Sequence, residues 1–145
     1  MRFVVGTDDG RPIVGRIAAR LRERGHEVMS FAPAAWAKAA IDVAREVASG
    51  RADAGVVCCY TGTGVSIAAN KVTGVRAALC VDAQTAAGAR TYNDANVLAL
   101  SLRLLSDATC DEILDAWLQT SYDGTEAESL DAISFEEGDA GEASE

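Results

Sequence analysis

The stretch that decides the fold is, over residues 54–71, Ala-Gly-Val-Val-Cys-Cys-Tyr-Thr-Gly-Thr-Gly-Val-Ser-Ile-Ala-Ala-Asn-Lys. Its apolar start predicts a buried strand over 54–59, its glycines predict a turn over 60–64, and a helix is expected from about Val65. A strand that turns on glycines into a helix points backbone N–H groups at whatever lies beyond the strand end. Cys59 stands at that end, where a thiol can act as a thiolate. The stretch therefore predicts a base or nucleophile beside an oxyanion site.

Strand-like and helix-like segments alternate on both sides of this stretch. Strands are expected at 2–6, 27–32, 54–59, 74–80 and 95–100, and helices from Pro12 to about Arg24 and at 36–49, 65–72, 83–90 and 107–120. Strands that alternate with helices at this spacing predict a parallel sheet covered on both faces. The fold class is therefore α/β, a Rossmann-like three-layer α/β/α sandwich with a five-stranded parallel sheet.

The charge is placed unevenly along the 145 residues, whose formal net charge is −9. Residues 123–145 hold nine acids and no Lys or Arg, so the remaining 13 acids face 13 basic residues in a neutral body. A nucleic-acid-binding protein needs a basic face, and none is present. We expect one folded domain at 1–122 and an acidic C-terminal segment at 123–145, which is partly disordered beyond about Glu136.

Motifs and apolar runs that are absent from the sequence bear on membrane insertion, cellular compartment and cofactor binding. No apolar run approaches the roughly 20 residues that a membrane span requires, and residues 1–6 are interpreted as a first strand rather than a signal peptide. Four cysteines without a CxxC pair, and one histidine (His26), favour reduced thiols and a cytoplasmic protein over a zinc site or disulfides. No GxGxxG follows the first strand, so a dinucleotide-binding fingerprint is absent.

Several polar residues near the strand ends are candidates for ligand binding. Asp8 and Asp9 follow the first strand, where carboxylates face the usual crevice of a parallel sheet, although acids there can also cap a helix. Thr61, Gly62 and Gly64 are candidates for an oxyanion nest, although a plain tight turn would also use glycines.

The remaining cysteines and one serine are ambiguous from the sequence. Ser66 falls early in the predicted helix and either contacts a ligand or is structural. Cys58 points away from Cys59 along the strand and is expected in the core. Cys80, at the end of the next strand, and Cys110, in a helix, are expected to be structural.

Three segments together resemble the type B ribose-5-phosphate isomerases and their galactose-6-phosphate isomerase relatives. They are Gly-Val-Val-Cys-Cys-Tyr-Thr-Gly-Thr-Gly-Val-Ser-Ile-Ala-Ala-Asn-Lys-Val at 55–72, Gly-Val-Arg-Ala-Ala-Leu-Cys at 74–80, and Ala-Arg-Thr-Tyr-Asn-Asp-Ala-Asn-Val-Leu at 89–98. Gly-Thr-Asp at 6–8 and Arg-Gly-His-Glu-Val at 24–28 are similar as well. The resemblance covers about residues 1–122.

The resemblance implies a metal-free and cofactor-free aldose–ketose isomerase whose active site lies between two subunits of a homodimer or homotetramer. It implies that Cys59 is the base and that Thr61 assists at the substrate oxygens. It places substrate-binding roles at Asp8 and at the Asn93-Asp94 pair. A subgroup of the family uses a glutamate as base at the position of Val65, so Cys59 is the candidate base here.

This sequence also departs from the family pattern. Asp9 and Tyr92 stand where the family has histidines, and Tyr60 stands where it has the glycine after the catalytic cysteine. Trp36 replaces a usual tyrosine. The segment 122–129 has acids where the family carries arginines that reach a substrate phosphate. Asp9, Tyr60 and Tyr92 are nevertheless retained as candidate substrate-binding residues.

Two classes of function remain open on these residues. The first is a cofactor-independent isomerase that transfers a proton through a cis-enediolate with Cys59 as base. Its substrate is either a pentose 5-phosphate, with Arg11 or Arg90 compensating the acids, or a different or unphosphorylated sugar. The second is a catalytically inactive sugar- or metabolite-binding relative, and a weaker reading makes the acidic segment an interaction module.

Overall fold

The computed structural model of the chain describes residues 1–142 and contains a sheet flanked by helices. The strands are β1 (Arg2–Thr7), β2 (Glu27–Ser30), β3 (Ala54–Cys59), β4 (Ala77–Leu79) and β5 (Val97–Ser101). The helices are α1 (Pro12–Glu23), α2 (Trp36–Ala48), α3 (Thr63–Ala69), α4 (Ala83–Asn93), α5 (Asp107–Gln119) and α6 (Ala127–Glu142).

The five strands form one parallel sheet in the order β2-β1-β3-β5-β4. β3 lies at its centre and is buried along its whole length, as its unbroken apolar sequence predicts. The order reverses direction between β1 and β3, and in open α/β sheets ligands bind beyond the carboxyl ends of the strands at such a point. The predicted fold class is therefore confirmed.

Helices cover both faces of the sheet and produce two separate apolar cores. On one face, Leu21 of α1 packs with Ile113 and Trp117 of α5 in a core that also takes in α4. On the other face, Val43 of α2 and Val65 of α3 form the second core. Side chains of β3 alternate between the two cores because successive strand residues point to opposite faces.

Several helix ends follow from local sequence signals. Pro12 occupies the first turn of α1, where its missing N–H costs nothing. The side chains of Asp82 and Ser106 accept hydrogen bonds from the backbone N–H of Thr85 (2.7 Å) and Thr109 (3.1 Å), which caps α4 and α5.

Several boundaries differ from the sequence prediction, and those of β4 and α4 affect the surroundings of the candidate site residues. β4 covers only Ala77–Leu79 rather than 74–80, and the Asn70 side chain binds both the N–H (2.8 Å) and the carbonyl (2.9 Å) of Ala77 at the open edge of this strand. Asn70 therefore satisfies the edge as a neighbouring strand would, and this side-chain contact has no signature in hydrophobic periodicity. α4 continues to Asn93 rather than Arg90 and ends where Asp94 adopts a left-handed conformation with φ of 44°.

The acidic segment contains a helix that the sequence did not predict. α6 runs over Ala127–Glu142, past the expected limit of order near Glu136, whereas 143–145 lie outside the described residues. The Glu137 carboxylate accepts a hydrogen bond from the Gly74 N–H at 3.2 Å, which ties α6 to the loop before β4. Ile133 and Phe135 of α6 remain exposed. Among the described helices, none is both long and apolar enough to span a membrane.

Candidate functional site

Three neighbouring strands end side by side at the carboxyl edge of the sheet. The register pairs Thr7 of β1 with Cys58 of β3, and Cys59 of β3 with Ser101 of β5. Asp8, which follows Thr7, therefore stands beside Cys59, and its N–H approaches the Cys58 carbonyl at 3.4 Å. The structure thus brings together the predicted carboxylate after β1 and the predicted base at the end of β3.

The four cysteines are free and buried, but they occupy different environments. Cys59 is 5% exposed and packs on the α2/α3 face, whereas Cys58 is fully buried on the opposite face. Burial strongly raises the pKa of Cys58, and burial raises the pKa of Cys80 and of Cys110 to about 12. These three thiols therefore remain protonated at neutral pH and have the structural character that the sequence predicted.

The turn after Cys59 is held tightly by its neighbours. Gly62 has a left-handed φ of 75°, and a Cβ there would lie 2.6 Å from the Leu79 side chain and 2.9 Å from the Leu100 carbonyl carbon. The hydroxyls of Thr61 and Thr63 are 2.8 Å apart. Only glycine fits at position 62, so the backbone that leads from Cys59 into α3 has one well-defined path.

The start of α3 lies against an aromatic ring. A Cβ on Gly64 would be 2.9 Å from the Trp36 indole, which is 49% exposed at the first residue of α2. α3 begins at Thr63, two residues earlier than predicted, so Gly64 lies in its first turn and Ser66, half-buried, at its fourth residue. In the sequence, Trp36 was identified only as a departure from the family pattern. Its contact with Gly64 locates the ring at the rim of the crevice.

The two carboxylates after β1 differ in their surroundings. One oxygen of Asp8, Oδ1, is buried and has no hydrogen-bond partner among the described residues. Asp9 is exposed, accepts a hydrogen bond from Arg11 at 2.9 Å, and its backbone N–H and carbonyl bind the Thr7 hydroxyl. A buried carboxylate oxygen without a donor is unfavourable unless a ligand supplies one, so Asp8 is the better candidate for a ligand contact.

Tyr60 and Arg103 complete this edge. The Tyr60 carbonyl accepts hydrogen bonds from the Ser101 hydroxyl (3.0 Å) and from the Arg103 backbone N–H (2.9 Å). Arg103 is exposed and forms no ion pair with any side chain that the structure describes. The sequence interpretation did not identify Arg103, although the rule that it applied to the ends of β1 and β3 also holds for the end of β5.

Tyr92 and Asn93 do not lie at the edge of the sheet that carries Cys59. α4 begins beyond the carboxyl end of β4 and runs back along the sheet for 11 residues, about 16 Å at 1.5 Å per residue. Its last residues, Tyr92 and Asn93, are exposed at the opposite edge, just before β5 begins. Within one chain they therefore do not join Asp8 and Cys59, because a crossover helix returns the chain to the amino edge of the sheet.

A groove of about 640 Å³ opens beside Asn93 at this opposite edge. It follows the exposed side of β4 and lies under α6. Its polar and apolar walls include Asn70, Lys71, Arg76, Asn93, Ile133 and Glu137.

Arg90 has a structural role. It was one of two arginines that were considered for phosphate binding from the sequence. Its Nε donates to the Thr120 carbonyl at 3.4 Å, and its guanidinium lies over the Trp117 ring at 5.5 Å. Arg11, the other, is paired with Asp9. Within residues 1–142, no group of three or more His, Cys, Asp or Glu side chains is placed to hold a metal ion.

Comparison with known proteins places this geometry in one family. The family described as Ribose/Galactose Isomerase matches residues 3–133. Ribose-5-phosphate isomerase B of Escherichia coli is 41% identical over 115 residues, which are 74% of this chain and 76% of that protein. Galactose-6-phosphate isomerase subunit LacB of Clostridium acetobutylicum is 37% identical over 131 residues, 86% of this chain and 76% of that subunit.

A solved structure agrees with this assignment. Ribose-5-phosphate isomerase B of Clostridium thermocellum superimposes with a TM-score of 0.92 at 37% identity, and the match covers 97% of this chain and 99% of that one.

Proposed function

The chain belongs to the ribose/galactose isomerase family of aldose–ketose isomerases, and on this premise we propose that it isomerises a sugar phosphate with the Cys59 thiolate as base. The observation that carries the proposal is the pairing of Cys59 with Asp8 at adjacent strand ends, where Asp8 Oδ1 is buried without a donor. A sugar hydroxyl would supply that donor and would hold the substrate against the thiol.

The proposed reaction moves one proton between adjacent carbons. Cys59 removes the proton from the carbon next to the carbonyl, the electrons of that C–H bond form the enediolate double bond, and the carbonyl oxygen becomes negative. Backbone N–H groups of the turn over 60–64 and the Thr61 hydroxyl stabilise this oxygen. The same thiol then returns the proton to the former carbonyl carbon, while the hydroxyl proton of the other carbon passes to the enediolate oxygen and a new carbonyl forms there, so the reaction needs no redox partner.

Arg103 is the proposed contact for the phosphate group. The equivalent of the family's phosphate-binding segment, 122–129, contributes acids, and Arg11 is already paired with Asp9. Arg103 is exposed next to Tyr60 and has no described ion pair, so its guanidinium can bind phosphate oxygens in a bidentate manner. The sugar itself, whether a pentose 5-phosphate or a shorter or longer relative, is part of the test below.

We further propose that two copies share each site. Tyr92 and Asn93 lie about one helix length from Cys59 in their own chain, so they reach a sugar only if a second copy presents them. A homodimer that docks the Cys59 edge of one subunit into the groove beside Asn93 of the other would do so. In this arrangement one subunit contributes Asp8, Asp9, Tyr60, Gly62, Gly64 and Ser66 to the binding site, and the other contributes Tyr92 and Asn93.

Two further expectations belong to the same proposal. The free, buried cysteines agree with a reducing compartment and hence with the cytoplasm. Residues 1–122 are proposed as the catalytic body and 123–145 as an acidic segment, of which α6 is the described part.

The test is an isomerase assay combined with solvent isotope exchange. The wild type is assayed with erythrose 4-phosphate, ribose 5-phosphate, galactose 6-phosphate and the corresponding free sugars, and deuterium uptake from the solvent into C1 and C2 is followed by NMR. We expect turnover of at least one sugar phosphate and loss of about 10²–10⁴-fold in Cys59→Ala, the usual contribution of a general base. Cys58→Ala is the matched control and keeps the activity, since that thiol faces the opposite core.

Three results would contradict parts of the proposal. Full activity in Cys59→Ala removes the thiolate base. Turnover of free sugars alone removes the phosphate contact at Arg103. Tight binding of sugar phosphates without turnover or deuterium uptake identifies the chain as a non-catalytic binding relative.

A further inference from the structure

The residue that follows Cys59 is anchored through its backbone to the neighbouring strand end. The Tyr60 carbonyl accepts one hydrogen bond from the hydroxyl of buried Ser101 at 3.0 Å and another from the Arg103 N–H at 2.9 Å. Two bonds to one carbonyl leave this peptide little freedom to rotate. The Tyr60 side chain therefore leaves the crevice edge in a defined direction, although it is 55% exposed.

The Tyr60 ring connects two loops of the crevice. The Arg11 guanidinium carbon lies 5.8 Å from the ring centroid, within the range of a cation–π contact. Arg11 Nε in turn donates to Asp9 Oδ2 at 2.9 Å. Asp9, Arg11 and Tyr60 thus form a continuous bridge from the loop after β1 to the loop after β3, and we refer to these three residues as the bridge.

The bridge lies beside the atoms that a substrate must reach. Asp8, with its unpartnered buried oxygen, precedes Asp9 at one end, and Cys59 precedes Tyr60 at the other. A ligand that donates to Asp8 Oδ1 and also contacts Cys59 would lie between the two loops that the bridge joins. Arg11 contacts the Tyr60 ring and Ser101 holds the Tyr60 backbone, so the ring is attached to both loops.

On the basis of the proposed function, we propose that Tyr60 is a specificity-determining residue: the bridge limits the length of the substrate and favours four- and five-carbon sugar phosphates over six-carbon ones. One carbon more or less at a rigid wall changes kcat/KM by about 10–200-fold. Arg11 acts through Tyr60 as a positioning residue, because its charge is shared between Asp9 and the ring.

The experiment compares selectivity rather than activity alone. For the full chain, kcat/KM is measured with erythrose 4-phosphate, ribose 5-phosphate and galactose 6-phosphate in the wild type, Tyr60→Gly, Tyr60→Phe and Arg11→Gln. We expect the six-carbon to five-carbon ratio to rise about tenfold or more in Tyr60→Gly. Tyr60→Phe keeps the ring and should retain the wild-type ratio, whereas Arg11→Gln should shift it by an intermediate factor.

Binding is measured separately so that the two proposals fail independently. Kd values for the same three compounds are determined by calorimetry in Cys59→Ala, with and without Tyr60→Gly, and circular dichroism verifies the fold; Tyr60→Ala replaces Tyr60→Gly if the latter is unfolded. A changed binding ratio without turnover in the wild type refutes the isomerase but supports the role of Tyr60. Turnover with an unchanged ratio in Tyr60→Gly, a wild type that already prefers galactose 6-phosphate, or no binding of any compound refutes the role of Tyr60.

Discussion

At the carboxyl edge of the sheet the residues around Cys59 are fixed by short contacts, whereas at the opposite edge Tyr92 and Asn93 are exposed beside an open groove. Around Cys59, Gly62 is packed against the β5 backbone and the Tyr60 carbonyl is held twice. Beside Asn93, the groove of about 640 Å³ is bordered by α6, which Glu137 ties to the body. One edge is thus held by contacts within the chain, whereas the other is an open groove.

Under the proposed homodimer, the difference shows that a site can have some of its residues firmly fixed within one chain and still need further residues from another chain. The proposed catalysis through an enediolate needs a base and oxyanion donors in fixed positions, and both are proposed at the Cys59 edge. In the proposed homodimer, residues that bind the far side of the sugar come from the other subunit. The predictions below test whether the two edges work together, and how differently they tolerate change.

The strongest test mixes two purified variants, each of which has lost activity at a different edge. Cys59→Ala should lose about 10²–10⁴-fold in activity and Asn93→Ala a substantial part of it, yet subunit exchange between them should restore about a quarter of the wild-type activity. Half of the randomly formed dimers are mixed, and each mixed dimer has one site with both residues intact. The measurement is the isomerase rate before and after subunits are allowed to exchange.

The matched control for this test mixes two variants of the same edge. Cys59→Ala with Thr61→Ala should show no recovery, because both residues belong to one half of each site and every mixed dimer has two damaged sites. Recovery in this control, or its absence with Asn93→Ala, would contradict a site shared between the two edges.

Glycine substitutions should separate the two edges by stability. Gly62→Ala places a Cβ 2.9 Å from the Leu100 backbone and keeps φ at 75°, so we expect a loss of about 3 kcal/mol in the free energy of unfolding. Gly74→Ala, at the opposite edge, has φ of 86° but no atom within 4 Å of the new Cβ, and should lose only about 1 kcal/mol. Urea unfolding of both variants measures the difference, and equal losses would argue against tighter packing around Cys59.

The sequence predicted what depends on local patterning. The apolar run of 54–59 determines a central buried strand, and the glycines of the next turn determine its path, so the strand and turn at Cys59 were expected from the sequence. The position of Asn93 relative to Cys59 was not predictable from the motif, because the motif does not show that α4 returns to the other edge. The position of Arg103, on which its proposed phosphate contact rests, was missed for a related reason, since its proximity to Tyr60 arises only from the pairing of β3 with β5.

The ends of the chain show the limit of composition as a guide. Residues 127–142 are rich in acids and were not predicted to be helical, yet they form α6. The contact of this helix through Glu137 with Gly74 has no signature in residue propensity. Likewise, Arg90 was considered for a phosphate because it is near Asn93 in sequence, whereas the fold places it over Trp117.

A smaller effect is expected from Asp8, with opposite signs for activity and stability. Asp8→Asn removes a charge whose Oδ1 lacks a donor, so the free energy of unfolding should rise by about 1 kcal/mol while kcat/KM falls about tenfold or more. Asp9→Asn is the neighbouring control, which disrupts an exposed ion pair with Arg11 and should cost less than about 1 kcal/mol. Thermal unfolding and steady-state kinetics measure both, and a destabilised Asp8→Asn would show that Asp8 serves the fold rather than a ligand.

The smallest effect is expected away from both edges, on the α1–α5 face. Arg20 and Arg24 bind Asp115 at 2.6 and 2.8 Å and hold the pKa of its carboxyl below its ordinary value. A carboxyl with a lowered pKa in the folded state stabilises the fold above its unfolded pKa of about 4, and this contribution is lost as the pH falls through the lowered value. Asp115→Asn should therefore cost about 1 kcal/mol at pH 7 and progressively less below pH 4 by urea unfolding, with kcat/KM unchanged. If kcat/KM of Asp115→Asn fell at pH 7, a loss of stability would be enough to lower activity. The activity losses of the variants at the two edges could then not be assigned to substrate binding or proton transfer.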